Sequence, residues 1–326
     1  MICLCCGKPI KENAKPEELI NGWHNSCVRH FFGTKELPEL NLSADTIESI
    51  ADECTKRGFT VPGVQKKLSL HLSNEKNDKV RLTLVGYPAG YILKPQTTDY
   101  PALPEAEYLV MQMAKATGIR TVPFALIRLT GSGEFAYITK RIDRTADGDK
   151  LAMEDFCQLD LRVTADKYKG SYERCGKIVK EYTENPGLDM TELFLRIVFS
   201  FAVGNSDMHL KNFSLIETSP WSGAYRLSEA YDLLPVNIIL PADRDQTALT
   251  LNGKNRSLRR GDFLALAENC GLNRKSAEKM IDKAISMKEQ YITMCEGSFL
   301  PDDYKTRLCR LVQDRAEALT LTSSYS

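Results

Sequence analysis

An excess of charge of either sign is missing from this chain: 43 Lys plus Arg stand against 43 Asp plus Glu in 326 residues, a formal net charge of zero. So balanced a chain sets up no long-range field for a nucleic-acid backbone or an anionic bilayer, and any polyanion must be met by a local cluster. Long apolar runs are missing too. The most apolar stretch, residues 193–203, is about half a membrane span and carries Arg196, so it reads as a buried helix. The start, Met1-Ile2-Cys3-Leu4-Cys5-Cys6-Gly7-Lys8, lacks the basic region and apolar run of a secretory signal, and a cytoplasmic protein is expected. There are four histidines, with His71 alone on a strand, which gives a Ser-His-Asp hydrolase little support. No G-x-x-x-x-G-K-[ST] occurs, so there is no Walker-type phosphate loop. Gly131-Ser132-Gly133-Glu134-Phe135-Ala136 fits a relaxed dinucleotide fingerprint but opens a strand, as a hairpin turn would. With 43% hydrophobic and 26% charged residues, collagen-like, disordered and coiled-coil classes are excluded, and the length allows two lobes with a small appendage.

Cysteine is the exception to this plainness. Of 10 cysteines, Cys3, Cys5, Cys6 and Cys27 crowd the first 27 residues and the rest are scattered singly, which in a reducing cytosol favours a metal site plus core thiols over disulfides. Cys3-x-x-Cys6-Gly7 and His24-x-x-Cys27 are two chelating pairs, each on a turn, the way a tetrahedral zinc site is assembled. Cys5 stands as an alternative ligand, and free thiols as the alternative to zinc. The role expected is structural, because so short a segment cannot bury enough core without a staple, and four protein ligands leave no open position for catalysis. Trp23, His30, Phe31 and Phe32 are available for a partner.

Periodicity divides the rest. Residues 34–42 read as a linker and 44–56 as a helix closed by Gly58. Alternation over 68–72 and 80–85, followed by Tyr91-Ile92-Leu93-Lys94, predicts an antiparallel meander. A helix over 105–117 is closed by Gly118, and strands over 124–129 and 135–140 are joined by a Thr-Gly-Ser-Gly turn. From Leu151 the chain is mainly helical, with helices over 191–203, 259–270, 276–295 and 304–320. A strand-rich lobe precedes a helical one.

After Gly204 comes Asn205-Ser206-Asp207-Met208-His209-Leu210-Lys211-Asn212-Phe213. An Asp with an Asn five residues on, on a loop between a buried helix and a strand, is the spacing phosphoryl transfer needs. The Asp accepts the proton of an attacking hydroxyl, and the Asn carbonyl reaches a magnesium ion bridging the phosphates. A hairpin over 213–216 and 225–227 returns to Tyr231-Asp232-Leu233, placing Asp232 at a strand end as the second magnesium ligand. Taken singly, Asp207 and Asn212 are turn residues and Asp232 a helix cap. The combination with Lys94, closing its strand, and Glu107, on the next helix and able to orient it, points to phosphoryl transfer.

These residues resemble the HipA family of bacterial serine/threonine kinases, the toxins of HipBA and HipBST systems. The likeness runs through Val61-Pro62-Gly63-Val64-Gln65-Lys66-Lys67-Leu68, Tyr91-Ile92-Leu93-Lys94-Pro95, Glu105 to Tyr108, Lys140-Arg141-Ile142-Asp143-Arg144, Glu154-Asp155-Phe156-Cys157-Gln158, the Asp207 loop and Tyr231-Asp232. The resemblance implies that Lys94 contacts the ATP phosphates, that the backbone around Lys140 and Ile142 forms the adenine hinge, and that His209 and Tyr231 line the nucleotide. Asp207 is then the catalytic base, Asn212 and Asp232 hold Mg2+, and Gly63 lies in the loop over the phosphates. The family's autophosphorylated serine falls on Thr60, and a second loop serine of the short toxins falls on Pro62, which cannot be phosphorylated. Too little chain precedes Ala44 for the separate N-terminal subdomain of the long form, so the chain looks like the short HipT type, whose subdomain is a separate HipS-like protein.

The expectation is an α+β, two-lobed protein-kinase-like fold, strand-rich N-lobe and helical C-lobe, with a small zinc-knuckle-like N-terminal segment. Its parts are 1–40, the Cys-rich segment and linker; 41–145, the N-lobe; and 146–326, the C-lobe, with ATP between the lobes. The activity expected is ATP-dependent phosphorylation of a protein serine or threonine by a toxin held by a HipB-like DNA-binding antitoxin, with no direct nucleic-acid or membrane binding. The rivals are a phosphoinositide or small-molecule kinase, since Asp207-x-His209-x-x-Asn212 also resembles the phosphoinositide-kinase loop, and a catalytically silent nucleotide-binding module in an antitoxin/DNA complex.

Overall fold

The computed structural model describes residues 1–40, 67–73, 81–83, 90–130, 132–145 and 148–320. The helix expected over 44–56, and Gly63 and Thr60 with their loop, lie outside the described residues. The chain is mixed α and β and divides into two compact units, Met1–Tyr108 with Val122–Ile142, and Leu109–Thr121 with Asp143–Ser326.

The first unit is built on a five-stranded sheet of order β2-β1-β3-β5-β4, every described pair antiparallel: β1 (Leu68–Ser73), β2 (Arg81–Thr83), β3 (Tyr91–Lys94), β4 (Phe124–Arg128) and β5 (Phe135–Lys140). The meander expected for the first three strands is not formed. β1 splits its edges, Leu68–Leu70 pairing with β3 and His71–Ser73 with β2, so β3 lies beside β1 rather than β2. The Thr-Gly-Ser-Gly turn does join β4 and β5, with Leu129 N donating to Glu134 O and Gly133 at φ +70°.

Ahead of the sheet, α1 (Pro16–Asn21) and α2 (Asn25–Phe32) carry the cysteine-rich segment. Its aromatics are not available to a partner as expected. Trp23 packs on Phe31 and Phe32, and both of those pack on Tyr91 of β3, so all three are buried and only His30 is exposed. The reason is apolar area: a segment this small covers its aromatics against the nearest sheet. Polar contacts tie it down as well, Tyr108 OH to Cys3 O and Leu4 O accepting from Leu126 N. The residues read as a linker are engaged too, since Glu39 O accepts from Leu82 N and Leu40 O from Thr130 Oγ1.

Helix α3 (Leu103–Thr117) supplies both units, Leu103 to Tyr108 the first and Leu109 onward the second. The second unit has a small antiparallel sheet, β6 (Met153–Asp155), β7 (Ser214–Glu217) and β8 (Tyr225–Leu227), beside helices α4 (Phe156–Leu159), α5 (Tyr172–Tyr182) and α6 (Pro186–Ala202). It continues through α7 (Val236–Ile239), α8 (Arg260–Asn269), α9 (Arg274–Ser286), α10 (Lys288–Glu296) and α11 (Asp302–Thr320). α6 begins earlier than the apolar run suggests because Pro186 sits at its first position, where a missing N–H costs nothing. Buried Leu193, Phe194, Ile197, Phe199 and Phe201 make it the axis of the core, Phe201 meeting Phe263 and Phe199 meeting Tyr291. The single helix expected over 276–295 is interrupted at Met287, where Ser286 Oγ donates back to Lys283 O and competes with the helical ladder. Among the described residues no helix is long and apolar enough to cross a membrane.

Candidate active site

Helix α6 delivers the chain to the loop that carries Asp207. Gly204 reverses it at φ +72°, a left-handed backbone that suits glycine, and a Cβ there would lie 2.8 Å from Leu311 Cδ1. The reversal lets Asn205 N donate to Ser200 O at 2.8 Å, and Asn205 Oδ1 in turn accepts from Asp207 N. His209 N and Asn212 Nδ2 both donate to the Asp207 carbonyl, each at 2.8 Å. With its nitrogen engaged, the Asn212 amide presents its oxygen as the atom a hard cation would take.

Neighbouring segments clamp this loop. Asp155 caps α4 in a reciprocal box with Gln158 and also takes Lys211 Nζ at 2.6 Å, while Ser206 Oγ donates to Asp243 at 2.7 Å. The buried Tyr172 donates its hydroxyl to Met208 O at 3.0 Å, and Leu210 N donates to Lys167 O. Tyr168 donates to the Asp207 carboxylate, Oδ1, at 2.6 Å.

His209 is buried, and burial lowers its pKa from the ordinary 6.5. The carboxylates of Asp207 and Asp232 oppose that shift and Lys167 adds to it. Its Nδ1 has no hydrogen-bond partner among the described residues. Tyr231 bonds Lys211 O at 3.1 Å and Ser214 Oγ at 2.5 Å, and burial raises its phenol well above the ordinary value. Asp232 follows, not at a strand end as expected but in irregular chain at φ +59°. A non-glycine residue held there costs about 1–2 kcal/mol and persists only where its surroundings impose it.

In the first unit, Lys94 at the end of β3 meets Glu107 of α3, Nζ to Oε1 at 2.6 Å, and Nζ lies 5.4 Å from the Tyr137 ring centroid. Both side chains are buried. β5 ends at the exposed Lys140, whose N–H donates to Pro123 O, and Ile142 is the last residue of the first unit.

A separate group lies near the N-terminus. The ligand atoms of Cys3, Cys6, His24 and Cys27 all fall within 4.8 Å of one another, so these four residues could hold a metal ion; Cys5 is not among them. Cys6 Sγ is 3.4 Å and Cys27 Sγ 3.9 Å from His24 Nδ1, while Nε2 faces Pro9 O at 3.3 Å. Burial, then the sulfurs of Cys5 and Cys3, push the Cys27 thiol far above its usual range, a penalty that a bound cation would reverse.

Tyr168, Tyr172 and Asp243 are loop partners that no sequence motif marks. Asp155 lies within Glu154-Asp155-Phe156-Cys157-Gln158, but only the fold shows that it takes Lys211.

Residues 59–291 match the family described as HipA-like C-terminal domain. A Haemophilus influenzae protein named "Putative kinase" is 28% identical over 98% of this chain and 97% of its own length. The Sinorhizobium fredii "Putative kinase Y4dM" is 32% identical over 73% of this chain and 59% of its own. Among solved structures, the Shewanella oneidensis MR-1 toxin–antitoxin complex of HipA, HipB and operator DNA matches with a TM-score of 0.65 at 18% identity, covering 82% of this chain and 70% of that one. The Helicobacter pylori proinflammatory kinase CtkA matches with a TM-score of 0.52 at 14% identity, over 77% and 93% of the two chains. The fold is therefore kinase-like.

Proposed function

This chain belongs to the HipA-like C-terminal domain family, and from that membership we propose that it transfers the γ-phosphate of ATP to a serine or threonine hydroxyl of a protein. The observation that carries the reading is the pairing of Asp207 and Asn212 through the Asp207 carbonyl, on a loop clamped by Asp155, Tyr172 and Asp243. Asp207 takes the proton of the attacking hydroxyl. Asn212 Oδ1 and the Asp232 carboxylate would hold magnesium, which when bound would supply charge neutralisation at the phosphates. Lys94, oriented by Glu107, meets the phosphates, as the lysine–glutamate pair of protein kinases does. The backbone at Lys140 and Ile142 serves as the adenine hinge, His209 and Tyr231 line the nucleotide, Gly63 lies in the loop over the phosphates, and Thr60 is the site of autophosphorylation. The parts of the chain are then 1–40, 41–145 and 146–326.

The Cys3, Cys6, His24 and Cys27 group takes structural zinc in this reading. Zinc bonds of about 2.3 Å to sulfur and 2.0 Å to nitrogen put neighbouring donors of a tetrahedron about 3.5–3.8 Å apart. The contacts of 3.4 and 3.9 Å to His24 Nδ1 bracket that edge. Nε2 is left to donate to Pro9 O, the second bond that fixes a ligand histidine.

The cellular role proposed is a cytoplasmic toxin, restrained by a HipB-like DNA-binding antitoxin and, in the short HipT-type arrangement, joined by a HipS-like subdomain protein. The fold shared with the toxin of the Shewanella complex supports the HipB-like partner. The test is transfer of labelled γ-phosphate from Mg-ATP to the chain and to lysate proteins by wild type and Asp207→Ala. Label that requires Asp207 is expected; equal label from the two would remove Asp207 from the mechanism, and none from either, with ATP bound, would point to a silent nucleotide-binding module.

A further inference from the structure

Tyr168 lies in the segment between α4 and α5 that borders the Asp207 loop. Its hydroxyl is 2.6 Å from Asp207 Oδ1, and its ring stands edge-on to His209 with centroids 5.0 Å apart and under Lys167 Nζ at 4.9 Å. Yet the residue is 50% exposed. A phenol that exposed is a poor core anchor, so the contact worth keeping is the one its hydroxyl makes. Tyr172, four residues on, offers the contrast: it is fully buried, and its hydroxyl goes to a backbone carbonyl, Met208 O. One tyrosine holds the loop's main chain, the other holds the carboxylate.

A carboxylate on a partly exposed loop has several side-chain orientations, and transfer requires the one that faces the acceptor hydroxyl. The Tyr168 ring meets His209 edge-on and Lys167 Nζ over its face, and the main chain of its segment is bonded to the loop where Leu210 N meets Lys167 O. Its O–H therefore occupies one oxygen of Asp207 from a set direction. Among the described residues no hydrogen bond reaches the other oxygen, Oδ2, which faces the incoming hydroxyl in this proposal.

We propose that Tyr168 is a positioning residue for phosphoryl transfer: its hydroxyl holds Asp207 Oδ1 so that Oδ2 faces the acceptor. The inference rests on the kinase reading of Asp207. Tyr168 itself takes no proton and receives no phosphate in this role.

The experiment measures ADP release from Mg-ATP and transfer of labelled phosphate to the chain itself, for wild type, Tyr168→Phe, Tyr172→Phe, Asp207→Asn and the Tyr168→Phe/Asp207→Asn double variant. Tyr168→Phe keeps the ring and removes only the donor, so kcat falls about 10-fold or more with KM for ATP unchanged, and the unfolding temperature falls less than in Tyr172→Phe because Tyr168 is half exposed. Tyr172→Phe lowers the unfolding temperature. The double variant is no slower than Asp207→Asn alone, because the two groups act as one. Wild-type kcat in Tyr168→Phe, or a rise showing that the hydroxyl blocks the base, overturns the inference while the kinase reading stands. Equal rates in wild type and Asp207→Asn overturn both.

Discussion

Lys94 Nζ and Glu107 Oε1 are 2.6 Å apart with side chains only 5% and 0% exposed, a lysine–glutamate pair taken wholly into the first unit. Two desolvated charges stabilise little relative to apolar residues of the same shape, but removing one partner takes away much of what compensates the other's buried charge. Glu107→Ala is therefore expected to cost about 3–5 kcal/mol by urea unfolding and to weaken ATP binding. A loss under about 1 kcal/mol, the size of an exposed pair, would mean the lysine readily reaches water.

Metal removal tests the N-terminal group. Since Tyr108 bonds Cys3 O and Trp23 packs with Phe31 and Phe32 on Tyr91, whatever holds Cys3 and His24 also holds the segment on the sheet. Purified without chelator, the chain is expected to carry about one zinc, and a strong chelator to lower its unfolding temperature by about 5 °C or more. Cys27→Ser should do the same without chelator. Metal analysis showing no zinc would leave four free thiol and imidazole groups.

Local chemistry explains why some features were legible and others not. β1 and the β4–β5 turn follow from alternation over 68–72 and from the Thr-Gly-Ser-Gly run, signals carried within a few residues. The Asp207 loop was legible because its geometry is written in a five-residue spacing. The partners of that loop were not: Tyr168, Tyr172 and Asp243 reach it from 39, 36 and 37 positions away. Likewise Trp23, Phe31 and Phe32 read as a surface because nothing near them in sequence announces Tyr91.

Burial of His209 gives a pH dependence with a definite sign. Its pKa is lowered in the folded chain, mainly by burial and further by Lys167, against the pull of Asp207 and Asp232. The unfolded chain then binds a proton that the folded chain refuses, so stability is full above the ordinary 6.5 and falls as pH drops below it. The slope is at most about 1.4 kcal/mol per pH unit for one such group. Asp160 and Asp262, whose pKa values are lowered from 3.8, contribute in more acid solution, and Glu105, raised from 4.5 by burial, acts with the opposite sign, so the histidine's part is read from the difference between wild type and His209→Gln. Urea midpoints at pH 7 and 5 should differ in wild type and differ less in His209→Gln; equal differences would place the titration elsewhere.

Gly204 separates backbone strain from crowding at the entrance to the Asp207 loop. A Cβ there would approach Leu311 Cδ1 and Cδ2 at 2.8 and 2.9 Å, but these are the ends of a flexible side chain that can turn aside. The φ of +72° cannot be relieved so easily, because Asn205 N must still reach Ser200 O. Gly204→Ala is expected to cost about 1–2 kcal/mol for the left-handed backbone. Shortening the neighbour, in Gly204→Ala/Leu311→Ala, should restore none of that and should add the loss of Leu311 packing. If the strain instead shifts Asn205 and Asp207, phosphate transfer falls in Gly204→Ala by more than the stability loss explains, under conditions where the variant is fully folded. Full recovery of stability or transfer on shortening Leu311 would show that contact with Leu311, rather than the backbone, is what requires glycine at this position.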